Sequence, residues 1–201
     1  AYDKVLYSQQ SMKDYFELCQ QGYAKNSSPR RFLIQREMFE RVKGTDSTVV
    51  HYEVCEADGR KWISIASANI YPRRLLRLCA NILRIKGLNC TRAHMDTVRD
   101  PQGFEDSYGT VSMLRLCIDD HEDLIATDQD VEEICYLMER AKWLDDQVVT
   151  FGLEKHPEVG IQKAEILNAF AAMLHGDLAA SNPHTFASVK SINTLLSSSP
   201  H

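Results

Sequence analysis

At 201 residues, with 44% hydrophobic and 25% charged side chains, the chain has the make-up of a globular protein with a real core, which excludes disorder and suits one domain with an extension. Its net charge of −5 offers no basic footprint for phosphate backbones or anionic lipid, so neither nucleic acid nor a membrane is an expected partner. No apolar run approaches the roughly 20 residues needed to span a bilayer, and Ala1-Tyr2-Asp3-Lys4 has no signal-peptide pattern, so a soluble cytoplasmic protein is expected.

The six cysteines (Cys19, Cys55, Cys79, Cys90, Cys117, Cys135) form no C-x-x-C pair and mostly sit in apolar periodic runs. They read as reduced, buried, small hydrophobes in a reducing compartment. The chain begins without Met and stops in Ser197-Ser198-Ser199-Pro200-His201. An excised piece of a longer protein is expected.

Ser11 to Gln21 predicts a short helix with Ser11 as its cap, stopped at Gly22. After the loop Asn26-Ser27-Ser28-Pro29, Arg30 to Lys43 predicts another, with Phe32, Leu33, Met38, Phe39 and Val42 among charges, the alternative being a strand opening at Phe32-Leu33-Ile34. Thr48 to Glu56 alternates and is β-branched, and Asp58-Gly59 is a hairpin turn signal before a paired strand from Lys61 to Asn69. Pro72 opens the clearest amphipathic helix, with Leu75, Leu78, Cys79, Ile82 and Ile85 on one face and Gly87 as its stop.

Asn89 to Val98 and Thr110 to Ile118 alternate as strands on either side of a long polar hairpin loop. From Asp128, a cap candidate, Val131, Ile134, Cys135, Met138 and Ala141 trace a second amphipathic helix ending near Trp143-Leu144. The unit from Lys61 to Leu144 is therefore βαββα. Either a last strand at Gln147 to Leu153 or the strand Thr48 to Glu56 at the border completes its sheet. One sheet face packs on the two helices, and the partly apolar other face calls for a second layer or a partner subunit. Glu158 to Ala180 predicts a long helix with Ile161, Ala164, Leu167, Phe170, Ala171 and Leu174 interior, broken at Asn182-Pro183, and Phe186 to Leu196 could start another.

Catalytic chemistry has no foothold in the pattern. The seven histidines and six cysteines show no H-x-x-x-H, H-E-x-x-H or paired-Cys spacing, so no metal is assigned; His121-Glu122-Asp123 reads as a solvated turn and His94, with Arg92 and Asp96, as a polar strand face. No nucleophile elbow, dinucleotide fingerprint or P-loop is present, so no catalytic residue and no cofactor is assigned to the chain.

The turn Asn69-Ile70-Tyr71-Pro72-Arg73-Arg74 carries the most information. It joins a strand to a helix start, where outward N–H groups and the helix dipole can hold the carboxylate of a small ligand such as an amino acid. The plainer alternative makes Asn69 only a cap and Pro72 only a helix starter.

That turn, followed by Leu75-Leu76 inside a βαββα order, resembles the ACT domain, a regulatory module of amino-acid metabolism. The resemblance implies an α+β, ferredoxin-like βαββαβ sandwich over 48–153, flanked by an N-terminal helical segment (1–47) and a C-terminal helical extension (154–201). It also implies an amino-acid effector bound at Asn69, Ile70, Tyr71, Pro72, Arg73 and Arg74. The chain departs from the family pattern by an extra residue before Pro72 and by Arg73-Arg74 where a small Gly is expected, which removes room for close approach of a ligand.

A narrower resemblance runs from Trp62-Ile63-Ser64-Ile65 through Leu75-Leu76-Arg77-Leu78, Gly87-Leu88-Asn89 and Ser112-Met113-Leu114-Arg115-Leu116. It continues through Lys163-Ala164-Glu165-Ile166-Leu167-Asn168-Ala169-Phe170 to Leu174-His175 and Asn182-Pro183. This text is similar to the region upstream of the catalytic part of large NAD-specific glutamate dehydrogenases. The implied role is that of a regulatory or assembly fragment of a homo-oligomeric enzyme whose catalysis and NAD lie elsewhere. A ligand-free oligomerisation module, or an ACT-like regulator of another enzyme, is the alternative. A nucleic-acid-binding sheet is disfavoured because the strands from Thr91 and Thr110 carry no aromatics to stack on bases.

Overall fold

The computed structural model describes residues 9–19, 28–56, 58–102, 109–119, 125 and 127–181. The expected turns at Gly22 and His121-Glu122-Asp123, the break at Asn182-Pro183 and the segment Phe186 to Leu196 lie outside the described residues. The chain forms two compact units, the first ending at Lys142 and the second beginning at Trp143.

In the first unit the order is α1 (Gln9–Leu18), α2 (Pro29–Val42), β1 (Thr48–Val54), β2 (Lys61–Ala68), α3 (Pro72–Ile85), β3 (Asn89–Arg99), β4 (Thr110–Asp119) and α4 (Asp128–Arg140). The class is α+β. The four strands form one antiparallel sheet in the order β1-β2-β4-β3. The bordering strand is thus β1, delivered by the Asp58-Gly59 hairpin, where Gly59 takes φ +67°.

Register separates the two faces. Ile63, Ile65, Leu114 and Leu116 point one way and meet the buried side of α3 (Leu75, Leu78, Cys79, Ile82) and of α4 (Ile134, Leu137, Met138). Ala66, Ala68, Val111 and Met113 point the other way, with Val49 from β1 and Val98 from β3, and form one core with Tyr15, Met38, Phe39 and Val42 of α1 and α2. Tyr15 fixes this second layer through ring contacts with Phe32 and Phe39 at 5.1 and 5.3 Å. The second layer expected on that face is therefore supplied by the chain's own first two helices.

Local chemistry sets the helix starts. Ser28 caps α2 by accepting from the Arg31 N–H at 3.3 Å, and Pro29 and Pro72 stand at the starts of α2 and α3. The cap of α4 is Thr127 rather than Asp128: its hydroxyl accepts from the Asp130 N–H while the Asp130 carboxylate accepts from the Thr127 N–H, a reciprocal capping box. Ser11 lies inside α1 rather than at its cap, and its hydroxyl accepts from the buried Arg36.

The second unit contains a short helix α5 (Asp146–Val149), a π-helical turn (Thr150–Lys155) and α6 (Gly160–Ser181). The strand expected at Gln147 to Leu153, which would have completed βαββαβ, is therefore helical. The β-branched pair Val148-Val149 is buried there within a helical turn, so packing overrides β-propensity. On α6, Ile161, Ala164 and Ala171 are buried as expected, but Phe170 and Leu174 are not: with Ile166 and Met173 they form an exposed stripe, Phe170 being 53% exposed.

Candidate functional site

The strand β2 ends at Ala68, and the next residue carries the turn's bend. Asn69 takes φ +54°, the one positive φ outside glycine among the described residues, and such a left-handed position favours Asn over branched side chains. Its Nδ2 donates to Asp46 Oδ1 at 2.8 Å. Lys142 donates to the same carboxylate, and also to the Ala68 carbonyl at 2.7 Å. Asn69 is thus a bend residue, not the helix cap. Ile70 is buried, and its carbonyl accepts from the Ser112 hydroxyl on the neighbouring strand β4.

The cap position of α3 falls to Tyr71, whose backbone is extended and whose side chain makes no capping hydrogen bond. Tyr71 is 57% exposed, Arg73 and Arg74 are exposed, and Pro72 has no N–H to offer. A helix start without a side-chain acceptor keeps outward N–H groups and positive dipole facing solvent, and the two arginines add formal charge.

This helix start opens onto a groove of about 720 Å³, lined by Tyr71, Pro72, Arg73, Arg74, Met95, Asp96 and Thr97. The far wall belongs to β3. The crossover helix α3 returns the chain to the same sheet so that the last third of β3 lies beside the α3 start, and β3 ends the four-stranded sheet, met beyond it among the described residues by an isolated bridge from Cys19 to Val98. Of the six residues singled out from sequence, Tyr71, Pro72, Arg73 and Arg74 come together in the groove, and Asn69 and Ile70 hold the bend behind it.

Met95, Asp96 and Thr97 were not singled out as ligand contacts. The signal was available in the βαβ order, which sends the two strands flanking α3 in the same direction. Asp96 is paired with Arg31 of α2 at 3.0 Å. Partial burial pushes the Asp96 carboxyl above its ordinary range, and the charges of Arg31 and then His94 pull it back. A groove with cationic groups at one wall and a carboxylate at the other matches a zwitterion.

Along the sheet face that bears α1 and α2 lies the charged cluster expected as a polar strand face, which α2 reaches through Arg31. Arg92, His94 and Asp96 do share one face of β3, and two of them have protein partners: Asp96 pairs with Arg31, and His94 stacks on Trp62 with ring centroids 6.0 Å apart, while Arg115 lies over the same indole at 4.3 Å. Desolvation by burial holds the His94 ring below its ordinary pKa, assisted by Arg31 and Arg115 and opposed by Asp96.

Among the described residues no three His, Cys, Asp or Glu side chains converge as a metal-binding group. All six cysteines are free; Cys79 and Cys117 are buried, whereas Cys90 is exposed. Burial pushes the Cys79 and Cys19 thiols up to about 12, which disfavours the nucleophilic thiolate. No helix among the described residues is long and apolar enough to cross a membrane. No known protein family matches the chain, and no curated protein matches it.

Proposed function

We propose that this chain is a regulatory and assembly unit of a larger enzyme of amino-acid metabolism, sensing a free amino acid in the groove at the start of α3. The observation that carries this reading is the convergence of the α3 start, Arg73 and Arg74 on one wall with Asp96 and Thr97 on the other. An α-carboxylate suits the helix N-terminus and arginines, and an α-ammonium suits the Asp96 carboxylate.

The parent is a large NAD-dependent glutamate dehydrogenase, which converts L-glutamate and NAD to 2-oxoglutarate, ammonium and NADH. This part of the proposal rests on the resemblance between Trp62 and Phe186 alone. NAD binding and catalysis belong to the parent enzyme's other parts, and the fragment acts at a distance by favouring one arrangement of the enzyme over another. Support for an ACT-like, ferredoxin-like unit comes from the spatial order β2-β4-β3 with α3 and α4 on one face. In that reading β1 occupies the border position that a last strand would take.

A thermal-shift screen of the chain against the common amino acids, 2-oxoglutarate and NAD tests the sensing role, because a ligand that binds only the folded state raises Tm. The expected result is a shift with one amino acid that is weakened in Asp96→Asn, together with little response to 2-oxoglutarate, which lacks the ammonium. A flat response across the panel overturns it.

The second reading, a homo-oligomerisation module without ligand, is favoured by two exposed features. Residues 89–95 of the edge strand β3 are exposed along their length, and α6 presents the stripe Ile166, Phe170, Met173 and Leu174. Unpaired strand edges and contiguous apolar patches are where subunits join.

A further inference from the structure

We infer that the polar end of the sheet face that bears α1 and α2 binds a phosphate monoester, with Arg92 and His94 of β3 as its contacts and Arg31 and Arg115 as supporting charges. Register places these groups together. On this face His94 stands directly opposite Arg115 of β4, with Arg92 two residues before it and Asp96 two residues after it, and side chains so placed lie within reach of one another. Arg31 arrives from the first turn of α2, where its guanidinium meets Asp96 at 3.0 Å. The Trp62 indole of β2 stacks on the imidazole and adds no charge.

The cations outnumber the anions that hold them. Glu53 takes both Arg115 and Arg30, and Asp96 takes Arg31, so that Arg92 is left over. Asp58 in the β1–β2 turn feels the charge of Arg92 but is paired with Arg60 at 3.3 Å. Arg92 itself is exposed and has no ion-pair partner among the described residues. The Nε of Arg115 is buried without a hydrogen-bond partner, so Glu53 does not exhaust that guanidinium's donors. The His94 ring, exposed beside them, registers the excess: after desolvation, Arg31, Arg115 and Arg92 hold its pKa below the ordinary value, and Asp96 alone opposes them.

A neutral imidazole among arginines suits a ligand that brings negative charge and can share a proton with the ring. A phosphate monoester does both, because its second pKa of about 6 lies close to the ordinary value of imidazole, about 6.5. Its three terminal oxygens can engage Arg92 and His94 together, whereas a carboxylate is used up by a single guanidinium fork. A long polyanion gains less, since the chain's net charge of −5 repels the rest of it. The monoester arrives either on a small metabolite or on a phosphorylated side chain, and the test separates these sources. The inference does not rest on the amino-acid reading of the groove.

An NMR titration of the His94 ring in the 201-residue chain, with its signal assigned by His94→Gln, tests the site. The probes are inorganic phosphate, glycerol 3-phosphate and a phosphoserine tripeptide, each compared with chloride at equal ionic strength. Bound phosphate should raise the ring pKa by about one unit, because an opposite charge nearby favours the imidazolium. By linkage, the protonated ring then binds the dianion about tenfold more tightly than the neutral one. Arg92→Glu should weaken binding by about tenfold or more, and circular dichroism verifies that it folds; where it does not, the response of the native chain decides. A stronger response to glycerol 3-phosphate assigns the site to a metabolite, and a stronger response to the tripeptide assigns it to a modified side chain. A His94 pKa that is the same in phosphate and chloride overturns the inference. So does an equal rise at every histidine, or a folded Arg92→Glu chain that binds phosphate as tightly as the native one.

Discussion

The guanidinium of Arg115 lies 4.3 Å over the Trp62 ring while its Nη2 donates to Glu53 Oε1 at 2.6 Å. The three residues come from three adjacent strands, β4, β2 and β1. Glu53 also faces Arg30 at 3.4 Å, and its side chain is 9% exposed, so this carboxylate depends on its cations for stability in a largely desolvated place.

Breaking that pair should destabilise the first unit more than removing it altogether. Arg115→Met leaves Glu53 with the longer Arg30 contact and should cost on the order of 2 kcal/mol, less than for a fully buried pair because Arg30 and water still reach the carboxylate. The double variant Arg115→Met/Glu53→Gln should recover about 1 kcal/mol relative to the sum of the singles. Urea unfolding of the four proteins measures the coupling, and strict additivity would show that the contact contributes nothing.

His94 makes the stability of the same region depend on pH. Its folded pKa lies below the ordinary value of 6.5, first because of desolvation and then because of Arg31 and Arg115. The unfolded chain therefore binds this proton more readily, so the His94 contribution is intact above pH 6.5 and is lost as pH falls through the lower folded value. Asp96 acts with the opposite sign at lower pH, since its raised carboxyl pKa favours the fold when protonated. Stability should drop as pH falls below about 7.5, and His94→Gln should flatten that drop. An NMR titration placing the His94 ring at or above 6.5 would contradict the account.

Much of the first unit was legible because its signals were local. The apolar stripe Leu75, Leu78, Cys79 and Ile82 defined α3, and alternation, with both faces of the second strand partly apolar, defined β3 and β4. What failed did so where tertiary packing chose between local options. Val148-Val149 reads as strand from β-branching but lies buried in a helical turn. Phe170 and Leu174 fit the period of α6 yet face outward, since periodicity identifies a face without saying what covers it. In the candidate site, the α3 start was legible from Pro72 and its arginines. The wall from Met95 to Thr97 was not, because it is brought there only by the crossover that returns the chain to the sheet.

The bend at Asn69 sets the direction in which the α3 start faces the groove. Asn69→Ala keeps the strained left-handed φ, loses the hydrogen bond to Asp46 and should cost about 1–2 kcal/mol. Asn69→Gly loses the same bond but relieves the backbone, so it should be milder by about 1 kcal/mol. Urea midpoints rank the three proteins, and Ala equal to Gly would mean that the φ value carries no strain.

Gly152 offers a test confined to the second unit. It lies in the π-helical turn, where a Cβ would stand 2.7 Å from Ala164 Cβ and 2.9 Å from the Gly160 carbonyl oxygen. Neither neighbour is the end of a flexible side chain, so the backbone of the turn must move to admit a methyl group. Gly152→Ala should therefore cost about 1–3 kcal/mol by overpacking, despite Ala being the better helix former. Hydrogen exchange should show faster exchange of the α6 amides near Ala164 and unchanged protection in β2 and β4. Equal loss of protection in both units would mean that they unfold as one, and no loss in either would mean that the turn has room the contact distances deny.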